Sequence, residues 1–350
     1  MADMLKSMMA AIGLAEDDAA LWGSPTELAT KDELLAARDA LKSYDDVLRT
    51  PQLNDWPVGG TTLTLKLESL QTTGSFKIRG MRYKLHASDV ARLRSAGVVT
   101  LSAGNAGKAV SYLAGKAGID AKVFMPDTAP DDRKRLMEDL GASVAKVPGA
   151  RLLDAVAECV ATEKRVLVHP FDDVDLIRGH ASCGLEMLED QPDVDVVAVC
   201  CGGGGLLAGV AAAYKLSGSS ARVVGVEPEG AQSMAISVRT GKHAWCPDGG
   251  KTETIAHGLA PPFAGKATYN HVRAFCDEVV TVTDAEMREA TRALFRAGIV
   301  AEVSGAAAVA AALAGKLGDV AGKKVACTVS GRNIDVGEYE EALSDRPMAH

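Results

Sequence analysis

The chain has 350 residues, with 38 Lys and Arg against 46 Asp and Glu, a formal charge of −8. That balance excludes a phosphate-backbone binder, which needs a basic face, and 4% aromatic content excludes a stacking platform for bases. Hydrophobic residues at 47% and charged residues at 24% are those of a folded globular protein, long enough for two lobes with sizeable cores.

Residues 1–50 read as a helical N-terminal extension, with apolar and charged residues in helical rhythm over 26–48 until Thr50-Pro51 stops them. The apolar stretch from Met8 to Ala15 runs into Glu16, Asp17 and Asp18, unlike a secretory signal or an arginine-rich transit peptide. No apolar run approaches the ~18 residues of a membrane helix, so no membrane partner and a cytoplasmic location are expected. Gly59-Gly60 predicts a turn and 61–68 a strand. From Val98 onward, short β-rich runs alternate with Gly-, Pro-, Asn- or Asp-containing loops and Ala-rich helices. The predicted strands are 98–102, 121–125, 142–147, 165–169, 194–200, 222–226, 278–283 and 324–330. Helices are expected at 133–140, 206–216 and 284–297, the last opened by a Thr283-x-x-Glu286 capping box. This alternation predicts an α/β fold, with parallel-rich sheets flanked by helices and ligands bound at the carboxyl ends of strands. The seven cysteines are scattered without a Cys-x-x-Cys pair and read as small buried hydrophobes.

Glycine is the compositional outlier, 35 residues where an average chain of this length has about 25. Four of the glycine-containing loops could carry chemistry. Thr72-Thr73-Gly74-Ser75-Phe76-Lys77-Ile78-Arg79-Gly80 sets a lysine beside an aromatic ring, where desolvation would leave an amine able to attack a carbonyl. Lys77, Arg79, Arg82 and Lys84 also make a charged run, as a solvated basic turn would. Ser102-Ala103-Gly104-Asn105-Ala106-Gly107 follows a strand and precedes a helix. It suits either an anion at a helix N-terminus or an ordinary turn with a left-handed asparagine. Gly202-Gly203-Gly204-Gly205-Leu206 is costly in chain entropy, which favours a backbone nest for phosphate over a plain turn. It lacks the Walker lysine and, with Leu at 207, the dinucleotide fingerprint, which disfavours a nucleotide-binding oxidoreductase. The fourth loop is Ser330-Gly331-Arg332-Asn333.

In this order, the four loops resemble those of the fold-type-II pyridoxal-phosphate enzymes, related to the tryptophan synthase β chain, and specifically their serine/threonine dehydratase branch. The likeness runs from about Thr50 to Val336. It extends to His169-Pro170-Phe171-Asp172-Asp173, Gly225-Val226-Glu227-Pro228, and Glu302 ahead of Ser304-Gly305. The resemblance implies a large cofactor-binding domain of residues 51–96 and 173–350, a small domain of 97–172, and the cofactor between them. By that likeness Lys77 holds pyridoxal 5'-phosphate as a Schiff base, with Phe76 beside the ring and Asn105 on its 3-oxygen. Gly202, Gly203, Gly204, Gly205 and Leu206 bind its phosphate, and Ser330 faces the ring nitrogen. Ser102 and the backbone of Ala103, Gly104, Asn105 and Ala106 take the substrate carboxylate. The implied reaction is β-elimination of a 3-hydroxy-L-amino acid such as serine, threonine or 3-hydroxyaspartate, giving a 2-oxo acid and ammonia.

Departures from the family pattern inform the subclass. Racemases resemble Ser-Ser-Gly-Asn in the asparagine loop, where the second serine exchanges a proton; Ala103 cannot. Cysteine-synthase-like β-replacement enzymes resemble Ser-Val-Lys-Asp-Arg around the lysine, unlike Phe76-Lys77-Ile78-Arg79. Divalent-metal members carry an aspartate where this chain has Ser233, so Glu227, Ala231 and Ser233 suit a monovalent cation such as K⁺ better. Arg332 replaces a usual glycine, and Arg151 falls near where some relatives bind a dicarboxylic ligand. His169, His180 and His257 lie close to matched stretches and read as structural. A non-catalytic small-molecule sensor on the same fold is the alternative from another class, and Lys77 speaks against it. No appended regulatory domain is expected after Ser330, and a homodimer is expected on general grounds.

Overall fold

In the computed structural model, residues 27–58 and 61–344 are described. Ten strands form two sheets: β1 (Gln52–Val58), β2 (Thr61–Lys66), β3 (Val98–Leu101), β4 (Ala121–Pro126), β5 (Ser143–Val147), β6 (Val166–Leu167), β7 (Val196–Cys200), β8 (Arg222–Pro228), β9 (Glu278–Val282) and β10 (Val325–Thr328). The six-stranded sheet has the order β1-β2-β10-β7-β8-β9, and the four-stranded sheet β5-β4-β3-β6. All pairings are parallel except β1 with β2, so the expected parallel-rich α/β fold is present.

The central strand β7 reads Val-Val-Ala-Val-Cys with every residue buried, because a parallel sheet is covered on both faces. Ala-rich helices do the covering. Gly205–Leu216 lies on one face and Ala307–Leu313 on the other, and small side chains let them approach closely. The four-stranded sheet has its own core of Val98, Ala109, Leu113, Val123 and Met137, which Ile78, Met81 and Leu85 of the Lys77–Ala87 helix share. The helix Asp284–Arg296 opens on the expected Thr283/Glu286 capping box. Six cysteines are buried and Cys276 is half-buried, all of them as free thiols.

Two expectations are corrected. The helix expected over 26–48 is only Lys31–Leu41, started by a Thr30/Glu33 capping box. Beyond it the chain turns and extends so that the carbonyls of Leu48 and Thr50 meet the buried cations Arg79 and Lys66. Residues 1–26 of the expected extension, and the Gly59-Gly60 turn, lie outside the described residues. Strand β1 was not among the predicted strands, the first of which begins at residue 61. It is an edge strand, which tolerates proline, and its register shifts between Leu53 and Trp56 around Asp55 at φ 57°.

Candidate active site

The carboxyl ends of β3, β7 and β10 open onto one cavity of about 960 Å³ between the two sheets, lined by all four glycine-containing loops. Lys77 is the first residue of the Lys77–Ala87 helix. The turn before it is pinned to the end of β10: Phe76 N–H donates to the Ser330 carbonyl at 3.1 Å, and Arg332 N–H to the Gly74 carbonyl at 2.8 Å. Gly74 takes φ 80°, a conformation that favours glycine.

The Lys77 Nζ donates to the Pro170 carbonyl at 2.6 Å and lies 5.1 Å from the Phe76 ring centroid. Its stem lines the cavity and keeps some surface, yet protein surrounds the amine and desolvation pulls its pKa down to about 8. The Pro170 carbonyl is itself held in place. His169 Nδ1 accepts the N–H groups of Phe171 and Asp172, and the Asp172 carboxylate accepts those of Lys266 and Ala267. Burial and the nearby Lys77 push His169 down to about 3, so it stays neutral and acts as an acceptor in this turn.

The tetraglycine loop closes β7 and starts the helix Gly205–Leu216, whose N-terminus no side chain caps. Gly204 sits at φ 94°, and a methyl on Gly203 would collide with the Phe171 ring. A Cβ on Gly202 would come within 3.0 Å of Leu259. Substitution is therefore blocked where the backbone must stay bare, and the first-turn N–H groups of the helix are available to an anion. A phosphate group fits this cradle.

On the opposite wall, Asn105 is the first residue of the helix Asn105–Ala117 rather than a left-handed turn residue. Its Nδ2 donates to Glu302 at 2.6 Å, and its Oδ1 accepts from Asn333 Nδ2 at 2.6 Å. Ser102 Oγ accepts the Gly104 N–H at 3.1 Å, and Ala103 and Ala106 line the cavity beside it. Ser330 is 4% exposed and lies at the cavity floor with Cys200.

The structure thus brings together Phe76, Lys77, Ser102, Ala103, Gly104, Asn105, Ala106, Gly202, Gly203, Gly204, Gly205, Leu206 and Ser330. Glu227, Ala231 and Ser233 are buried away from this cavity. The Glu227 carboxylate accepts the Met234 and Ala235 N–H groups at 2.9 and 2.7 Å. Arg151 pairs with Asp154 at 3.1 Å on the surface, outside the cavity lining. His180 is fully buried against Phe76 with neither ring nitrogen partnered, while His257 is exposed at the cavity rim.

The solvated basic turn is overturned. Arg79 is 1% exposed, chelated by Glu68 and Glu186, and both Arg82 and Lys84 are paired, with Asp46 and with Asp173 and Asp175. Glu68 lies 11 positions before Arg79, but Glu186, Asp46, Asp173 and Asp175 lie 36 or more positions from their cations, where nothing local announces them. Lys108 was missed as well, although its place one helical turn after Asn105 puts it on the same helix face; it donates to Asn333 at 2.7 Å.

Comparison with known proteins places this geometry. Residues 47–331 match the family model described as pyridoxal-phosphate dependent enzyme. The L-threonine ammonia-lyase of Thermotoga maritima is 41% identical over 82% of this chain and 71% of its own length. The phenylserine dehydratase of Ralstonia pickettii is 39% identical over 82% of this chain and 87% of its own. Among solved structures, maize serine racemase superposes with a TM-score of 0.83 at 31% identity, covering 91% of this chain and 97% of that one. The family match spans the lysine, asparagine and tetraglycine loops and ends inside the fourth, so the chain belongs to the pyridoxal-phosphate-dependent enzymes.

Proposed function

We propose that this enzyme catalyses β-elimination of a 3-hydroxy-L-amino acid to a 2-oxo acid and ammonia. The observation that carries the reading is a desolvated lysine amine, its pKa lowered to about 8, facing a cavity whose other walls are a glycine cradle and an asparagine loop with alanine at position 103. Its relatives named as an ammonia-lyase and a dehydratase support it.

Pyridoxal phosphate, held by Lys77, Asn105, Ser330 and the backbone from Gly202 to Leu206, supplies the electron sink for the carbon that loses its proton. The chain supplies the rest. Ser102 and the N–H groups from Ala103 to Ala106 bind the substrate carboxylate and orient Cα–H toward the lysine. Lys77, brought near neutrality by burial, takes that proton. The Cβ–O bond breaks and the hydroxyl leaves as water, taking up the proton that Lys77 removed from Cα, so that the lysine is neutral again. A water then replaces the amine by oxygen, so that the net products are the 2-oxo acid and ammonia. Racemisation, the reaction for which the maize relative is named, requires a second proton donor on the opposite face, and Ala103 has none.

The substrate panel follows from the relatives and the chemistry. Serine, threonine, 3-hydroxyaspartate and 3-phenylserine form it, and Leu136, Leu152, Phe171, Pro262, Phe263 and Ile334 give the cavity an apolar part of its wall. Release of 2-oxo acid and ammonia from at least one of the four tests the proposal. A purified enzyme that interconverts enantiomers without releasing ammonia, or that forms product only with an added sulfur nucleophile, refutes it. We place a monovalent cation, K⁺, at Glu227, Ala231 and Ser233. The working form we propose is a cytoplasmic homodimer, and among the described residues no helix is long and apolar enough to cross a membrane. The domain division we propose is 97–172 against 51–96 with 173–350, the cofactor lying between.

A pH dependence follows from the burial of Lys77. The amine titrates at about 8 where an ordinary lysine titrates at 10.5. The rate at which apoprotein captures the pyridoxal phosphate aldehyde should rise with pH to a midpoint near 8, followed by the growth of visible absorbance. A midpoint above 10 would mean that the amine is solvated.

A further inference from the structure

Four polar side chains cross the cavity in a single hydrogen-bonded chain. Lys108 Nζ donates to Asn333 Oδ1 at 2.7 Å, Asn333 Nδ2 to Asn105 Oδ1 at 2.6 Å, and Asn105 Nδ2 to Glu302 Oε1 at 2.6 Å. Asn105 and Lys108 sit on the helix that follows β3 of the four-stranded sheet, whereas Glu302 and Asn333 sit on loops of the six-stranded sheet.

The direction of this chain is set by its ends. Lysine only donates, so the atom that Asn333 turns toward Lys108 is its oxygen. The Asn333 amide nitrogen then faces Asn105 and also donates to the Thr73 carbonyl at 2.8 Å, which uses both of its hydrogens. Asn105 must answer with its own oxygen, leaving its nitrogen toward Glu302. An ionised carboxylate only accepts. Flipping the Asn105 amide would therefore set oxygen against oxygen at one end and N–H against N–H at the other. With one Nδ2 hydrogen committed to Glu302, the second remains for an acceptor in the cavity.

We propose that Glu302 is a titrating positioning residue: its carboxylate, opposed by Asn333, locks the Asn105 carboxamide so that it presents an N–H to the ring oxygen of the cofactor. The proposal rests on the pyridoxal-phosphate reading of the cavity. Protonated Glu302 is a donor as well as an acceptor, so it tolerates the flipped amide and the lock loosens. Burial raises the Glu302 pKa to about 7, within the working range of pH. The charged groups that face it are Arg133 and Lys108, which favour ionisation, and Glu338, which opposes it. Glu338 is itself paired with Arg133 at 2.6 Å. Lys108, at the other end, is held below the usual lysine range by burial and by Arg332. Glu302 is also fixed at the backbone, its N–H donating to the Gly331 carbonyl at 3.0 Å, and a methyl on Gly331 would collide with its carboxylate.

The test uses pyridoxine 5'-phosphate, which has the ring oxygen and phosphate but no aldehyde, so that Lys77 chemistry does not enter the readout. Binding to the apoproteins of wild type and Glu302→Gln is measured by fluorescence at pH 5.5 and 8.5, and the ratio of their affinities cancels the ligand's own titration. Glutamine mimics the protonated acid, so the two should bind within about twofold at pH 5.5, and wild type about tenfold tighter at pH 8.5. Glu302→Ala, losing the acceptor altogether, should be the weaker variant at both pH values. A wild-type to Glu302→Gln ratio that is the same at both pH values overturns the proposal. Wild-type apoprotein that binds pyridoxine phosphate at neither pH overturns instead the cofactor reading on which it rests.

Discussion

Lys77→Ala should lower 2-oxo acid release by about 10⁴-fold or more and abolish the borohydride-trapped lysine adduct, while leaving the fold intact. The size of the loss follows from two roles carried by one amine. In the proposed mechanism Lys77 holds the carbonyl group of the cofactor and takes the substrate's α-proton, and general acid–base catalysis alone contributes ~10²–10⁴-fold. The fold survives because the Lys77 amine has one protein partner, the Pro170 carbonyl, and its stem lines a cavity instead of filling a core. Lys77→Arg separates the roles: it keeps a positive charge but cannot lose it near neutrality, and should be as inactive as the alanine variant. Keto-acid release within tenfold of wild type by either variant would refute the assignment of Lys77. Absorbance, borohydride labelling and thermal unfolding on the same samples distinguish lost chemistry from lost structure.

The second large effect lies two residues away and belongs to stability. Arg79 is held by Glu68 and Glu186, with Lys66 completing a quartet of two cations and two carboxylates that is almost wholly buried. The Glu68 carboxylate also accepts from Thr50 and Gln71, and Arg79 donates to Ser182. Burial raises the Glu68 pKa, but the Arg79 guanidinium, Lys66 and the Thr50 hydroxyl together more than offset it and hold the carboxyl below its ordinary value of 4.5. Its contribution is therefore complete above that pH and lost as acid passes below it. Arg79→Ala leaves the buried Glu68 without its cation and Glu186 with Lys66 alone, and should cost ~3–5 kcal/mol, lowering the thermal midpoint by about 10 °C. Glu186→Gln keeps the shape and removes one charge, and should cost less than half of that. Equal midpoints for wild type and Arg79→Ala would show the quartet to be solvated. Because Arg79 lies on the same helix as Lys77, a weakened quartet should also broaden the visible absorbance of the bound cofactor.

Much of the site was legible from the chain because its chemistry is local. Gly202 to Gly205 form the proposed phosphate cradle, and a Cβ would collide with Phe171 at Gly203 and with Met234 at Gly204, and would be crowded at Gly202 and Gly205. The strands β3, β4, β7 and β8 were legible because buried parallel strands are short apolar runs between helix-forming segments. The edge strand β1 was not, since its Asn, Asp and Pro mimic a turn and only pairing with β2 makes them a strand.

By itself the sequence determined the α/β class, the order of the four loops and the lysine proposed to react, because each depends on residues adjacent in the chain. Only the tertiary structure decided how charges pair. Arg79 looks like surface until Glu186, 107 positions later, is folded against it, and Lys108 is an ordinary helical lysine until Asn333 arrives from the C-terminal loop. A buried charge or an oriented amide is a property of its surroundings, and the deciding partners here come from more than 100 residues away, Glu186 for Arg79 and Asn333 for Lys108 and Asn105.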